Sequence, residues 1–259
     1  MDIYAFPPIA AALDAAHTII TWLIATLDPL VPGGAAGLVI VLVTVFVRTA
    51  LIPASVATVR GEINRRRLAP QIAQLRKRYG KQPELLQRKT MELYSTEKVS
   101  PFAGCLPLLI QAPVLSLVYG LFVLTSIGGH ANALLTETFL GVPLGTSLFA
   151  VIGGGGGLAQ VAVYAALLVA IGVVAWFTRR VTARYVGDAT DDSPPAMRQL
   201  SGILSWLPFL TVVFAAIVPL AATIYLTVTT TWTLVERQLL RRALSRPNAP
   251  RAVPKTKEI

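Results

Sequence analysis

Five apolar stretches of roughly bilayer length constrain this chain more than anything else in its sequence. A helix needs about 17 to 25 apolar residues to cross a hydrocarbon core, and stretches of about that length fall at residues 36–58, 101–127, 158–178, 200–218 and 219–236. Charged residues make up only 14% of the 259, where a soluble domain carries about 25%. The chain therefore reads as an all-α membrane protein with five transmembrane helices. Only the turn in "IVPLAA" separates the last two stretches, which read as a tight helical hairpin bent at Pro219.

Residues 1–35 read as an external amphipathic surface helix and linker. They hold no Lys or Arg, so the basic start of a signal peptide is missing, and Asp14 and His17 interrupt the apolar run. Leu13, Ile20, Leu23 and Leu27 fall on one helical stripe. No Cys placed for a lipid anchor is expected, and Cys105, the single cysteine, rules out an intramolecular disulfide.

Orientation follows from the basic residues, because loops retained in the cytoplasm keep Lys and Arg. Of 23 such residues, eleven lie in 60–98, four in 179–198 and seven in 237–257. The N-terminal segment and the external Gly-rich loop 128–157 hold none. The expected topology is N-terminus outside and C-terminus cytoplasmic, with a cytoplasmic loop at 179–199 and a basic tail at 237–259. The net charge of +10 then faces anionic lipid headgroups or ribosomal RNA.

Residues 59–100 read as a cytoplasmic basic helical hairpin. Leu68, Ile72, Leu75 and Tyr79 recur at spacings of four, three and four, which places them on one helical stripe. The "YGKQPE" break ends that helix, and Pro83 suits the first turn of a second, whose Leu86 and Leu93 continue the seam. Arg65, Arg66, Arg67, Arg76, Lys77 and Arg78 cover the outer faces. So narrow a seam buries little, and the hairpin is expected to move relative to the membrane part.

The remaining basic residue, Arg48, sits inside the first apolar stretch, in "LVTVFVRTALIP". At ~1.5 Å per residue it lies about 18 Å of helix from Arg60, too deep to reach the headgroups easily. Centring an Arg in a span costs roughly 2.5 to 3.5 kcal/mol, and such residues face a bundle interior or a water-filled cavity. No Asp or Glu lies within the core of another span to pair with it. Arg48 is therefore expected to face water in a hydrophilic groove. Thr44, one turn away, would line it, as would Gln111 between Pro107 and Pro113, two residues able to kink their helix. Thr223, Thr227 and Thr230, with Tyr225 nearby, would hydroxylate a third wall, although such a stripe also serves as helix-helix glue.

Chemistry is harder to find. His17 and His130 are the only histidines and neither neighbours a nucleophile and acid pair. No phosphate-binding Gly motif appears, and "GGGGG" at 153–157, with no Lys after it, reads as a flexible external linker. No catalytic residue, metal site or cofactor is expected, and the chain does not read as an enzyme.

One part of the sequence matches a known pattern. The Arg-bearing first span and basic hairpin lead into "MELYSTEKVSPFAGCLPLLIQAPVLSLVYGLF", and the chain closes with "LPFLTVVFAAIVPLAATIYLTVTTTWTLVERQLL". Tyr94, Lys98, Val99, Pro101, Gly104, Cys105, Pro107 and Gln111 keep step with the motif of the YidC/Oxa/Alb family of membrane protein insertases, and over residues 36–242 the chain resembles its compact bacterial form. The resemblance implies five helices around a groove open to cytoplasm and lipid. It places the family's groove arginine on Arg48, the preceding threonine on Thr44 and the last-span tyrosine on Tyr225. The second tyrosine that often follows is Leu226 here, and the usual Asn or Ser further along is Thr229 or Thr230.

Read this way, the chain takes nascent membrane proteins from the cytoplasm into the bilayer without nucleotide hydrolysis. Its expected partners are nascent membrane proteins, the ribosome, the Sec translocon and anionic lipids, with no DNA, in a bacterial plasma (inner) membrane. Two other readings fit an intramembrane Arg or its neighbours: a small-solute or anion transporter using Arg48, though no internal repeat of the carrier kind is visible, or a structural assembly factor for membrane complexes.

Overall fold

The computed structural model describes residues 6–99, 116–118, 120–127, 130–186, 202–203 and 205–244. Helix α1 covers Pro7–Leu27, α2 Ala35–Ala50, α3 Ile52–Tyr79 and α4 Pro83–Thr96. Two small hairpins follow, β1 (Ser126–Ile127) with β2 (His130–Ala131) and β3 (Thr138–Phe139) with β4 (Val142–Pro143). Helices α5 (Leu148–Gly153), α6 (Leu158–Val186), α7 (Leu207–Ile217) and α8 (Leu220–Leu244) complete the chain.

Helix α1 and the segment Leu158–Ala183 of α6 are long and apolar enough to cross a membrane. In α1, Leu13, Ile20 and Ile24 are buried against the other helices, with Leu23 and Leu27 partly so, while Trp22 and Ile19 on its other side are exposed. The stripe expected of a surface helix is therefore a packing stripe, on a helix whose length also suits a span.

Where the sequence reads one continuous span over 36–58, the structure has two helices, α2 and α3, bent by 57° at Leu51. The cause is Pro53, in the first turn of α3. It has no N–H to give the Thr49 carbonyl, and its ring would strike that carbonyl in a continuous helix. The Leu51 amide bonds back to the Val47 carbonyl at 3.1 Å, and the new helix restarts with Ser55 N–H on the Leu51 carbonyl at 3.1 Å.

From there α3 runs as one helix into the basic hairpin, with Pro70 inside it. Leu68 is fully buried, whereas Ile72, Leu75, Tyr79, Leu86 and Leu93 are half-buried. Arg67 pairs with Glu97 across the hairpin at 2.6 Å, and Glu62 bonds Arg241 of α8 at 2.8 Å. The hairpin is thus tied to the membrane part by a continuous helix and by an ion pair, two constraints that a narrow apolar seam did not reveal.

Helix α8 is the centre of the bundle. Leu220, Ala221, Ala222, Thr223, Ile224 and Tyr225 are all buried, which the two alanines permit by letting neighbouring helices approach closely. The bend before it follows from Pro219, which pushes Val218 into extended conformation (ψ 160°). Thr223 then donates its hydroxyl to the Ala215 carbonyl at 2.8 Å and closes the α7–α8 turn.

The expected external loop is folded. Asn132, 4% exposed, donates through Nδ2 to the carbonyls of Leu121 (2.8 Å) and Leu124 (2.9 Å) and accepts the Leu134 amide at Oδ1 (3.2 Å). A two-residue turn with positive φ at Leu140 (52°) and Gly141 (76°) joins β3 to β4. Phe139 packs onto α2 so closely that a Cβ on Gly37 would lie 2.1 Å from its ring. The glycine run expected to be a flexible linker is the C-terminal turn of α5: Gly155 has φ +73°, and a Cβ on Gly156 would lie 2.7 Å from the Val151 carbonyl oxygen. The carbonyls of Thr146 and Leu144 accept the Leu220 and Ala221 amides at 2.8 and 3.1 Å, so this cap also satisfies the start of α8.

Of the five expected spans, then, 158–178 lies in one long apolar helix, 36–58 is a bent pair, 200–218 includes the 11-residue α7, 219–236 lies in α8, and 101–127 falls mostly outside the described residues.

The Asn132→Ala variant leaves two carbonyls and an amide without their partner, at ~1–3 kcal/mol for a buried group. A thermal unfolding midpoint clearly below that of wild type is expected in detergent, while Thr136→Ala, whose hydroxyl is exposed, should leave it unchanged. Equal midpoints for both variants would contradict this account of the cap.

Candidate functional site

The break at Leu51 decides the position of Arg48. Instead of lying mid-helix, Arg48 occupies the last turn of α2, where free carbonyls and the negative end of the helix dipole favour a cation by roughly 0.3 to 1 kcal/mol. Its Nε donates to Thr229 Oγ1 of α8 at 2.8 Å. Thr229 is only 8% exposed, and Thr233 one turn on donates its hydroxyl to the Thr229 carbonyl at 2.7 Å. Among the described residues no carboxylate pairs with Arg48. The guanidinium is held along one edge by a neutral oxygen, and its two terminal nitrogens have no hydrogen-bond partner among the described residues.

Around it the other candidate residues divide. Thr44 is buried and donates to the Ile40 carbonyl at 2.6 Å. Thr223 belongs to the α7–α8 turn, and Thr227 donates to the Thr223 carbonyl at 2.8 Å. Tyr225 is buried. Thr230 donates to the Leu226 carbonyl at 2.7 Å and faces a cleft between α6, α7 and α8, because it stands about 100° round the helix from Thr229. Gln111 lies outside the described residues.

The side of α8 that meets Arg48 carries Tyr225, Thr229, Trp232 and Glu236 at spacings of four, three and four, one stripe on a helix. Trp232 Nε1 and Glu236 Oε1 are buried without hydrogen-bond partners. Thr229 is one of the two positions, with Thr230, that the sequence offers for the family's usual Asn or Ser, whereas Trp232 and Glu236 are not among the expected groove residues. Their spacing was there to be read, but the regular threonine series beside it drew attention to a neighbouring face.

On the hairpin Arg65, Arg66, Arg67, Arg76, Lys77 and Arg78 are all exposed, as a surface for an acidic partner requires. No group of three or more His, Cys, Asp or Glu able to hold a metal ion occurs among the described residues.

The Arg48–Thr229 contact makes a direct prediction. Thr229→Val keeps the shape and removes the acceptor, and a hydrogen bond to a charged group contributes about 1.5–3 kcal/mol. The variant should unfold at lower temperature in detergent, and the loss should shrink in an Arg48→Ala background. Equal losses in the two backgrounds would mean that the contact carries no energy.

This geometry meets a consistent set of likenesses. Residues 28–247 match the family described as 60Kd inner membrane protein. Proteins named "Membrane protein insertase YidC" align with part of the chain: 38% identity over 107 residues in Clostridium perfringens, covering 41% of this chain and 45% of that one. For Methylobacillus flagellatus the figures are 35% over 107 residues, 41% and 19%, and for Laribacter hongkongensis 45% over 78 residues, 30% and 14%. The aligned segments span less than half the length of these relatives. Because the family match takes in both helices of the Arg48 site and everything between them, this chain belongs to the 60Kd inner membrane protein family.

Proposed function

We propose that this chain is a membrane protein insertase, which receives nascent membrane proteins on the side of the basic hairpin and passes them into the lipid bilayer. The observation that carries the reading is Arg48: half-buried, bonded along one edge to Thr229, and paired with no carboxylate among the described residues. The names of its relatives support the reading.

The energetics need no nucleotide. Partitioning an apolar segment into lipid is favourable by about 0.3 to 0.6 kcal/mol per Leu, Ile, Val or Phe at mid-membrane, so the barrier lies in moving the polar flank. A wet groove shortens the hydrocarbon path. The terminal nitrogens of Arg48 hold carboxylates or carbonyls of that flank in passing, and the membrane potential adds ~2.3 kcal/mol per elementary charge per 100 mV. In this reading five spans surround the groove, the N-terminus lies outside the bacterial plasma membrane and the C-terminus lies in the cytoplasm. The folded cap at the start of α8 closes the outer end. The exposed arginines of the hairpin contact the ribosome or the emerging chain, and a Sec translocon is a natural neighbour.

The test is insertion of a short client with an acidic N-terminal tail into proteoliposomes carrying the full chain, read as protease protection of the tail. Like charges brought together cost several kcal/mol, and each 1.36 kcal/mol is tenfold in rate. Arg48→Glu should therefore slow insertion at least about tenfold, and a nonhydrolysable nucleotide should leave it unchanged. Partial activity in Arg48→Lys would show that positive potential suffices, whereas full loss would point to the planar donor geometry of arginine. Undiminished insertion by Arg48→Ala would sink the mechanism and leave a structural assembly role.

A further inference from the structure

A cleft of about 170 Å³ opens between α6, α7 and α8 at the end of the bundle that carries the basic hairpin. No residue of α2 lines it, and it lies on a different flank of α8 from Arg48. Its lining changes character along its length. Ile171 and Ala175, 1% and 3% exposed, form an apolar floor with Val174, while Leu234 lies between the threonines and the mouth. Thr178, Thr230 and Thr233 form a middle band, and Arg237 and Arg241 stand at the mouth. From Thr230 to Arg241 the helix rises about 16 Å.

The polar groups have defined directions. Thr178, Thr230 and Thr233 each donate their hydroxyl proton to a carbonyl one turn back, at 2.8, 2.7 and 2.7 Å, so toward the cleft they offer lone pairs. Arg237 and Arg241 share one carboxylate, Glu62, at 3.6 and 2.8 Å. The longer contact leaves Arg237, whose side chain is 46% exposed, with donor directions for a second anion.

We infer that this cleft holds an anionic phospholipid. Apolar floor, acceptor band and cationic mouth follow the order acyl chain, glycerol backbone and phosphate along the bilayer normal. The phosphate bonds Arg237 beside Arg241, headgroup or glycerol hydroxyls donate to the threonine oxygens, and the head of an acyl chain covers Ile171 and Val174. A free phosphate would satisfy only the mouth and leave the floor facing water. The site stands on its own, whether or not the chain inserts proteins.

Native mass spectrometry of the full chain released from detergent, with phosphatidylglycerol or phosphatidylcholine added, tests it. Wild type should retain phosphatidylglycerol preferentially. Arg237→Gln should lower that retention about fivefold, the attraction of one cation near a headgroup. Val174→Trp should abolish it by filling the floor, with folding checked by circular dichroism. Arg180→Gln, on an exposed arginine stacked on Trp176 outside the cleft, should leave retention unchanged. An equal loss in Arg180→Gln and Arg237→Gln would reduce the effect to general surface charge and overturn the inference. Displacement of the lipid by millimolar inorganic phosphate would assign the mouth to a soluble anion instead, and equal retention of both lipids would also overturn it. If Val174→Trp fails to fold, the comparison of the two arginine variants decides alone.

Discussion

A missing amide proton organises this molecule. Pro53 cannot supply the hydrogen bond that would carry the first apolar helix past Leu51, so α2 ends and α3 sets off at 57°. Two consequences follow from that one absence. Arg48 comes to rest in a final helical turn, among unsatisfied carbonyls, where its charge costs less than it would at mid-helix. The next 28 residues run as one helix out of the bundle and become the first arm of the basic hairpin.

The two ends of the bundle are built on opposite principles. At the start of α8, Asn132, the β3–β4 turn and the carbonyls of Thr146 and Leu144 satisfy backbone groups one by one. At the far end, among the described residues, Trp232 Nε1 and Glu236 Oε1 are buried without hydrogen-bond partners, and Glu62 stands against both Arg237 and Arg241. Buried polar groups left unmatched are costly, and these two stand on the stripe of α8 that meets Arg48.

Particular residues show how far the sequence could be read. Pro83 and Pro219 announced their breaks, because proline acts through its own backbone and needs no partner. The periodicity of Leu13 and Ile20 marked one apolar stripe, but not whether lipid or the other helices would cover it. Pro53 was present in the quoted apolar stretch, yet hydrophobicity runs straight through it, and a window that averages over polarity does not register a lost N–H. The partner of Arg48 was harder still, since Thr229 lies 181 positions away and only packing of α2 on α8 selects it over Thr227 or Thr230. Asn132 and the glycine run had the composition of a loose loop. What orders them is a set of backbone bonds between segments distant in sequence, for which composition carries no signal.

The course of α3 as one helix has a mechanical meaning. From Leu51 to Tyr79 it is a helical arm about 42 Å long, at ~1.5 Å per residue, with Pro70 as its one weak joint; its inner end is the bend next to Arg48 and its outer end carries the exposed cluster Arg76, Lys77 and Arg78. Turning the whole helix by about 10° displaces its tip by about 7 Å while the bend moves hardly at all. Glu62, about 16 Å from the bend at the same rise, grips Arg241 near the fulcrum, where resisting such a turn takes the largest force. Load applied at the basic tip, less what flexing at Pro70 absorbs, is delivered as torque to the junction that positions the half-buried Arg48.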